Sequence, residues 1–352
     1  MAPLAESDFR STGRFDVRRR LGEGGMGVVY EAWDRERRAR VAIKTLRTLS
    51  AEGILRFKNE FRALQDLSHP NLCTLGELIC DAGQWFFTME LVDGVDLLDW
   101  VRPARDHWSD HSVSEPRIDP TPSADPLRRT ATAPPPSGRL LRPTFPLDVA
   151  RLRAALLSLA HGVTALHAAG VVHRDIKPSN ILVEPSGRAV LLDFGLATSA
   201  ARPDQSDIRV VGTADYMAPE QASARKVGPE ADWYSVGVIL YEALTGGVPF
   251  SGAPLEVLLQ KQAHEPPSPR SLAPEVPADL DALCAGLLRK DPRQRFGARE
   301  LYERLARGNV GAPPDLRDPA RERPFVGRRD ELAALEAAFE RVRAGVATTL
   351  HV

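Results

Sequence analysis

The sequence predicts an α+β protein built as two unequal lobes. Short runs of β-branched and aromatic residues crowd the stretch from residue 17 to residue 91, which is strand chemistry. Longer apolar stretches with helical spacing follow from about residue 147 to residue 307. Between them, residues 102–146 hold ten of the chain's 29 prolines with Ser, Thr, Asp and Arg interspersed. That stretch cannot bury enough apolar surface to offset its ordering entropy, so it is expected to be a disordered insertion. Strand signals early and helix signals late define two segregated lobes.

Composition narrows the partners. The 352 residues are 43% hydrophobic and 26% charged, with a formal net charge of -1, so no global basic field points to nucleic acid or an acidic membrane. Cys73, Cys80 and Cys284 are too few and too scattered for a disulfide framework or a metal cage, which fits a reducing compartment. The N-terminal residues lack the apolar core of a signal peptide, and no uninterrupted apolar run approaches the ~18 residues a spanning helix needs. A cytoplasmic protein with no nucleic-acid or membrane partner is expected. Only six of the 46 basic residues are lysine, at 44, 58, 177, 226, 261 and 290. Lysine is a compact point charge and arginine a planar fork, so a tight phosphate site distinguishes them.

Taken in order, residues 1–13 read as an unstructured lead. A strand-like stretch over 17–21 runs into Gly22-Glu23-Gly24-Gly25-Met26-Gly27-Val28-Val29-Tyr30. Such a G-x-G-x-x-G opens a dinucleotide fold only when a helix follows. Here β-branched and aromatic residues follow, so the glycines belong to a hairpin with Gly24-Gly25 at its tip. Such a flap either lays backbone N–H groups over phosphates or is a plain glycine-rich turn. In Val41-Ala42-Ile43-Lys44, strand period puts Val41 and Ile43 on one face and Ala42 and Lys44 on the other. Ala42 is small enough to admit a flat ring, and Lys44 is either a ligand charge or a solvated edge residue. A helix around 52–68 carries Phe57, Phe61, Leu64 and Leu67 on one stripe with Glu60 at its margin. Glu60 there pairs with a cation, Lys44 being the obvious one, or snorkels to the surface. Strands are expected over 75–79 and 85–91, then a hinge near Val92-Asp93-Gly94; crevices between lobes are where ligands bind.

An amphipathic helix over 147–169 delivers the chain to Val171-Val172-His173-Arg174-Asp175-Ile176-Lys177-Pro178-Ser179-Asn180-Ile181-Leu182-Val183. Apolar runs bracket a polar centre, the pattern of a short loop pinned at both ends with reactive side chains between. Asp193 then ends the run Val190-Leu191-Leu192 and precedes Phe194-Gly195. Asp175, Lys177, Asn180 and Asp193 at this spacing suit metal-assisted phosphoryl transfer. Two carboxylates divide the work between nucleophile and Mg²⁺, the amide helps hold the metal, and the lysine meets phosphate charge. Farther on come Gly212-Thr213-Ala214-Asp215-Tyr216-Met217-Ala218-Pro219-Glu220 and a largely apolar, buried helix starting at Asp232-Trp233-Tyr234. Helices are expected over 255–261, 280–289 and 298–307, with Asp291-Pro292-Arg293-Gln294-Arg295-Phe296 before the last.

The glycine loop, Val-Ala-Ile-Lys, the helix Glu, His-Arg-Asp, Lys, Asn, Asp-Phe-Gly and Ala-Pro-Glu stand here in the order that identifies protein kinases. Over residues 15–307 the chain resembles the eukaryotic-like (Hanks-type) protein Ser/Thr kinases of bacteria. The resemblance implies a bilobal kinase fold over residues 14–307 that uses ATP with Mg²⁺ or Mn²⁺ to phosphorylate Ser/Thr hydroxyls of protein substrates. It implies that Lys44 holds the α/β-phosphates and pairs with Glu60, that Asp175 takes or orients the hydroxyl proton, that Lys177 neutralises the transferring group, and that Asn180 and Asp193 bind the metal. It places nucleotide contacts at Leu21, Gly22, Glu23, Gly24, Gly25, Met26, Gly27 and Val28. Val29, Ala42 and Leu182 sandwich the adenine in this reading, beside Met89, with Glu90 and Leu91 as hinge contacts. Lys177 and Gly212-Thr213 resemble the Ser/Thr rather than the Tyr class, and Glu220 with Arg295 forms a buried ion pair under the substrate shelf. Arg174 docks a phosphorylated activation loop in such enzymes, and autophosphorylation at Ser206 or Ser199 is expected, with Thr198 a further acceptor. A non-catalytic ATP-binding signalling scaffold, or a regulatory front end of a C-terminal ATPase, is the alternative. Residues 308–323 read as a linker, and 324–352 either resemble the start of an AAA-type or signalling NTPase domain cut before its phosphate loop or form a capping helix with a short strand.

Overall fold

The computed structural model describes residues 9, 11–24, 27–46, 51–65, 67–103, 146–193, 214–223, 227–307 and 341. Five strands form one antiparallel sheet: β1 (Phe15–Gly24), β2 (Gly27–Asp34), β3 (Ala39–Thr45), β4 (Leu75–Asp81) and β5 (Gln84–Met89), in the order β1-β2-β3-β5-β4. The period-2 reading of β3 holds. Val41 and Ile43 join Phe15, Val17, Tyr30, Ala32 and Phe86 on one face, while Ala42 belongs to the main core on the other. Helix α1 (Ala51–Gln65) packs there through Phe57 and Phe61, whose rings meet Phe87 at centroid distances of 5.9 and 5.5 Å. The hairpin register pairs Gly24 with Gly27. A Cβ at Gly27 would lie 1.7 Å from the Thr45 carbonyl oxygen, so only glycine lets β2 start this close to β3.

Two expectations for this lobe are corrected. The inner end of the expected unstructured lead is ordered: Phe9 packs on Phe86 with ring centroids 4.8 Å apart, and its N–H donates to the Tyr30 hydroxyl at 3.2 Å. Thr12 Oγ1 and Ser11 Oγ accept from the N–H groups of Phe15 and Val17, so side chains of the lead cap the first strand. The helix expected to run to residue 68 ends at Gln65, whose amide turns to donate to the Gly76 carbonyl. Leu67 still packs against the core from outside the helix, which is why it looked helical in sequence.

The second lobe is helical. Helix α2 (Leu97–Val101) is capped by Asp96, and α3 (Val149–Ala168) by Asp148, whose carboxylate accepts from the Arg151 N–H at 3.0 Å. Then follow α4 (Glu230–Thr245), α5 (Pro254–Ala263), α6 (Pro269–Leu272), α7 (Ala278–Leu287) and α8 (Ala298–Arg307). Nearly every residue of α4 is buried, as its apolar sequence requires. By length and composition α3 alone among the described helices could cross a bilayer, yet Leu152, Leu156, Leu159, Val163 and Leu166 are buried in the main core. A small sheet, β6 (Val95–Asp96), β7 (Ile181–Val183) and β8 (Ala189–Leu191), lies in this half of the chain. Strands of two and three residues carry no period, so the early-strand pattern did not reveal that sheet. The chain divides into two compact units, residues 1–312 and residues 313–352. Most of the expected insertion, the Asp-Phe-Gly phenylalanine and glycine, Thr198, Ser199, Ser206, Thr213, the linker and all of the NTPase-like start but residue 341 lie outside the described residues.

Candidate active site

One buried carboxylate holds the loop between α3 and β7. Asp232, at the head of α4, accepts the His173 N–H at 2.8 Å and the Arg174 N–H at 2.7 Å, and contacts His167 Nε2 at 2.7 Å. Arg174 is held at φ 67, and Asp193 at φ 55, a left-handed conformation that costs a non-glycine residue energy and persists only where neighbours enforce it. The His173 ring links the two acidic segments. Its Nδ1 accepts the Asp175 N–H at 3.2 Å, so Nε2 carries the proton and donates to the Leu192 carbonyl at 2.9 Å. The backbone next to Asp193 is thereby tied to the backbone of Asp175.

Three of the residues singled out from sequence meet directly. Asp175 Oδ2 accepts from Lys177 Nζ at 2.8 Å and from Asn180 Nδ2 at 3.3 Å. Asn180 Nδ2 also donates to the Asp175 carbonyl at 2.8 Å, which leaves the amide oxygen as the atom able to face a cation. Asp175 Oδ1 is buried and has no protein partner. An acceptor oxygen in that condition is costly unless a ligand group meets it. On the sheet side, the buried Lys44 ammonium lies 2.6 Å from Asp193 Oδ2. Lys44 is therefore a buried partner of the second acid rather than a solvated edge residue. The side chain of Glu60 and residues Gly25 and Met26 lie outside the described residues, as does the expected Lys44–Glu60 pair.

The residues expected around adenine come together by strand register. Ala42 faces Met89 across β3 and β5, and Val29 faces Lys44 across β2 and β3. Val29, Leu91 and Leu182 are partly buried against the main core. Leu21, Gly22 and Glu23 are exposed on β1, and Gly24, Gly27 and Val28 complete the hairpin. Strand β5 ends at Met89, so Glu90 and Leu91 form an extended connection rather than the strand expected. The Glu90 N–H donates to the Thr74 carbonyl at 2.8 Å, and its carboxylate accepts from Arg188 Nη2 at 2.6 Å.

Below the loop, the expected Glu220–Arg295 pair is bidentate, with distances of 2.6 and 3.0 Å. The guanidinium also donates to the Glu230 and Arg289 carbonyls and lies over the Tyr234 ring. Beside residues 214–218, burial pushes the carboxyls of Asp96, Asp215 and Glu242 upward, the first two also raising Glu242 by their charge. The Tyr216 hydroxyl donates to Glu242 at 2.6 Å.

The protein kinase domain family model matches residues 15–119 and 136–305, breaking inside the proline-rich stretch. The chain belongs to the protein kinase family. Serine/threonine-protein kinase PknA of Mycobacterium tuberculosis is 35% identical over 295 residues, which cover 81% of this chain and 58% of PknA. Serine/threonine-protein kinase Pkn1 of Myxococcus xanthus is 33% identical, covering 81% of this chain and 37% of Pkn1. The probable serine/threonine-protein kinase SCO3848 of Streptomyces coelicolor is 30% identical, covering 88% and 45%. The matched portions thus amount to between 37% and 58% of these bacterial relatives.

Sequence reasoning missed several residues that hold this kinase site. Asp232 was read only as the start of an apolar helix, though an acid heading such a run is itself a signal. Arg188 carried no motif. Lys261 was present in the short tally of lysines, but only positions 44 and 177 lay in motifs.

Proposed function

We propose that this kinase domain transfers the γ-phosphoryl group of ATP to serine and threonine hydroxyls of protein substrates, its own activation segment included, in bacterial signal transduction in the cytoplasm. The observation that carries the reading is Asp175. One carboxylate oxygen is engaged by Lys177 and Asn180, and the other is buried and unpartnered. That is the state of a base set to accept or orient the proton of an incoming hydroxyl. Lys177, held 2.8 Å from the same carboxylate, is in this reading the cation that meets phosphoryl charge.

The donor set suits a hard divalent cation such as Mg²⁺ or Mn²⁺: the Asn180 amide oxygen and the Asp193 carboxylate would hold it, and phosphate and water oxygens would complete its shell. Such an ion, when bound, neutralises charge on the transferring phosphates. Lys44 is the cation of the sheet nearest that carboxylate and is placed to share the phosphate charge. Val29, Ala42, Met89 and Leu182 supply apolar surfaces for a flat base, and the Glu90–Leu91 backbone supplies polar edges. This reading is tested with labelled ATP and Mg²⁺. Wild-type chain is expected to transfer label, and Asp175→Asn to lose at least about 10²-fold in rate while still binding ATP. Binding without transfer by the wild type, or undiminished transfer by Asp175→Asn, would overturn it.

A further inference from the structure

Lys261, on α5, is almost fully buried. An ammonium in the interior is costly unless its protons are met, and the usual partner is a carboxylate. Among the described residues Lys261 has no such ion pair. Its Nζ donates instead to the carbonyls of Ala214 at 2.8 Å, Asp215 at 2.5 Å and Met217 at 2.9 Å. The carbonyl between them, that of Tyr216, accepts from Ser235 Oγ at 2.8 Å. Two side chains therefore take up four consecutive carbonyls of a segment that belongs to no helix or strand. Backbone carbonyls need partners wherever water is excluded, and here side chains replace a ladder.

The anchors also fix where this segment sits. Ser235 and Asp232 share α4, and Asp232 holds the N–H groups of His173 and Arg174 next to the proposed base. Gln221 adds a second tie: its Nε2 donates to the Arg174 carbonyl at 2.9 Å while its Oε1 accepts the Ala218 N–H at 2.8 Å. Catalytic loop and segment 214–217 thus hang from one helix, and α5 supplies the remaining three bonds through a single nitrogen. Convergence of three acceptors on one atom suits the tetrahedral ammonium; a guanidinium spreads its donors over a plane.

We propose that Lys261 is a positioning residue for the phosphoryl acceptor, holding backbone 214–217 as the ledge that sets a serine- or threonine-bearing peptide against Asp175. The proposal rests on the kinase reading. Lys261 acts through the ledge and does not enter the nucleotide site, whose residues Lys44, Asp193, Asn180, Met89 and Glu90 are held by other elements.

The test compares wild-type chain with Lys261→Met, using ATP with Mg²⁺ and the best wild-type acceptor from a degenerate library of serine- and threonine-centred peptides. ATP hydrolysis without peptide is measured alongside. The KM for peptide is expected to rise about tenfold or more, with KM for ATP and peptide-free hydrolysis per folded enzyme within about twofold of wild type. A misfolded fraction lowers both rates together and leaves both KM values alone, so it cannot mimic this split. If Lys261→Met does not fold, Ser235→Ala, which removes the bond to the Tyr216 carbonyl and a longer one to the Ala231 carbonyl within α4, is expected to raise peptide KM alone by a smaller factor. An unchanged peptide KM in the variant that folds, or peptide and ATP KM rising together, overturns the proposal. Lys261→Arg is expected to keep the raised peptide KM; recovery to the wild-type value would show that any buried cation suffices and would overturn the three-carbonyl geometry. Failure of the wild type to label any library peptide overturns the kinase reading itself, and this inference with it.

Discussion

A single buried acid shows how much of the site depends on residues that touch no substrate. Asp232 is inaccessible to solvent and takes two backbone N–H groups and an imidazole. Asp232→Ala leaves those donors facing an apolar cavity, and each unmet donor costs about 1–3 kcal/mol. The expected outcome is a stability loss of about 3 kcal/mol or more in chemical denaturation, with phosphotransfer falling as Arg174 leaves φ 67. A variant that keeps wild-type stability would show that the carboxylate is dispensable to the loop. The Glu220–Arg295 pair belongs to the same class. Arg295→Met strips a bidentate partner from a carboxylate under the shelf and is expected to cost about 3–5 kcal/mol, read from the same unfolding curves. Asp175, Lys177, Asn180 and Asp193 were legible from their local spacing, and the Glu220–Arg295 pair, 75 residues apart, only through the family resemblance. Asp232 was not, because its partners lie 58 and 59 residues upstream and nothing in the linear pattern announces them.

Among elements, the connection from α1 to β4 is the part whose purpose the sequence hid. His69-Pro70-Asn71-Leu72 lies beyond the end of α1 at Gln65, and its proline announces that the helix stops before it. Only the structure shows that the same stretch is bound to β8 of the second lobe. Leu191 donates its N–H to the Asn71 carbonyl, Cys73 donates its N–H to Leu191, and Asn71 Nδ2 donates to Ala189 at 2.8 Å. Arg188 completes the junction, donating to the Pro70 carbonyl at 3.0 Å and pairing with Glu184 and with Glu90 of the hinge. Burial opposes its charge, but the two carboxylates raise its pKa further than burial lowers it, so the guanidinium stays charged in place. Arg188→Met removes the cation between two acids and leaves the Glu90 carboxylate without its guanidinium, though still accepting the Thr74 N–H at 3.2 Å. Weaker ATP binding, with KM for ATP raised several-fold and peptide KM little changed, is the expected result. That is the mirror image of the split expected at Lys261, and the two variants assayed together separate hinge from ledge. Element types were otherwise well read where period was sustained, as in β3, α1 and α3. They failed for β6, β7, β8 and α6, which are too short to show one.

For the domain as a whole, buried ionisable groups decide how stability answers to pH, and Lys261 gives the separable signal. Burial pushes its ammonium down from the ordinary lysine value of 10.5 to about 7, with the charge of Asp215 opposing. Between those values the unfolded chain holds a proton that the folded chain has released, so stability rises with pH across that window. Below about 7 the interior must keep the charge, and this group then works against the fold. The buried thiols of Cys73 and Cys284 and the phenols of Tyr216, Tyr234 and Tyr241 have the opposite sign. Each keeps its proton in the fold after the unfolded chain has lost it, so these groups lower stability as pH rises, beginning only near the ordinary thiol value of about 8.5. The raised carboxyls of Asp96, Asp215 and Glu242 share that falling sign, from about pH 4 upward. The Lys261 charge holds Asp215 down in wild type alone, so subtracting the two proteins' unfolding free energies at each pH isolates the lysine together with its coupling to Asp215. Wild type is expected to gain on Lys261→Met between pH 7 and about 8.5. A neutral amine has two N–H groups for three carbonyls, so the gain comes with one ledge bond given up. A difference that stays flat over that range would mean that Ala214, Asp215 and Met217 hold the ammonium charged against the cost of its burial.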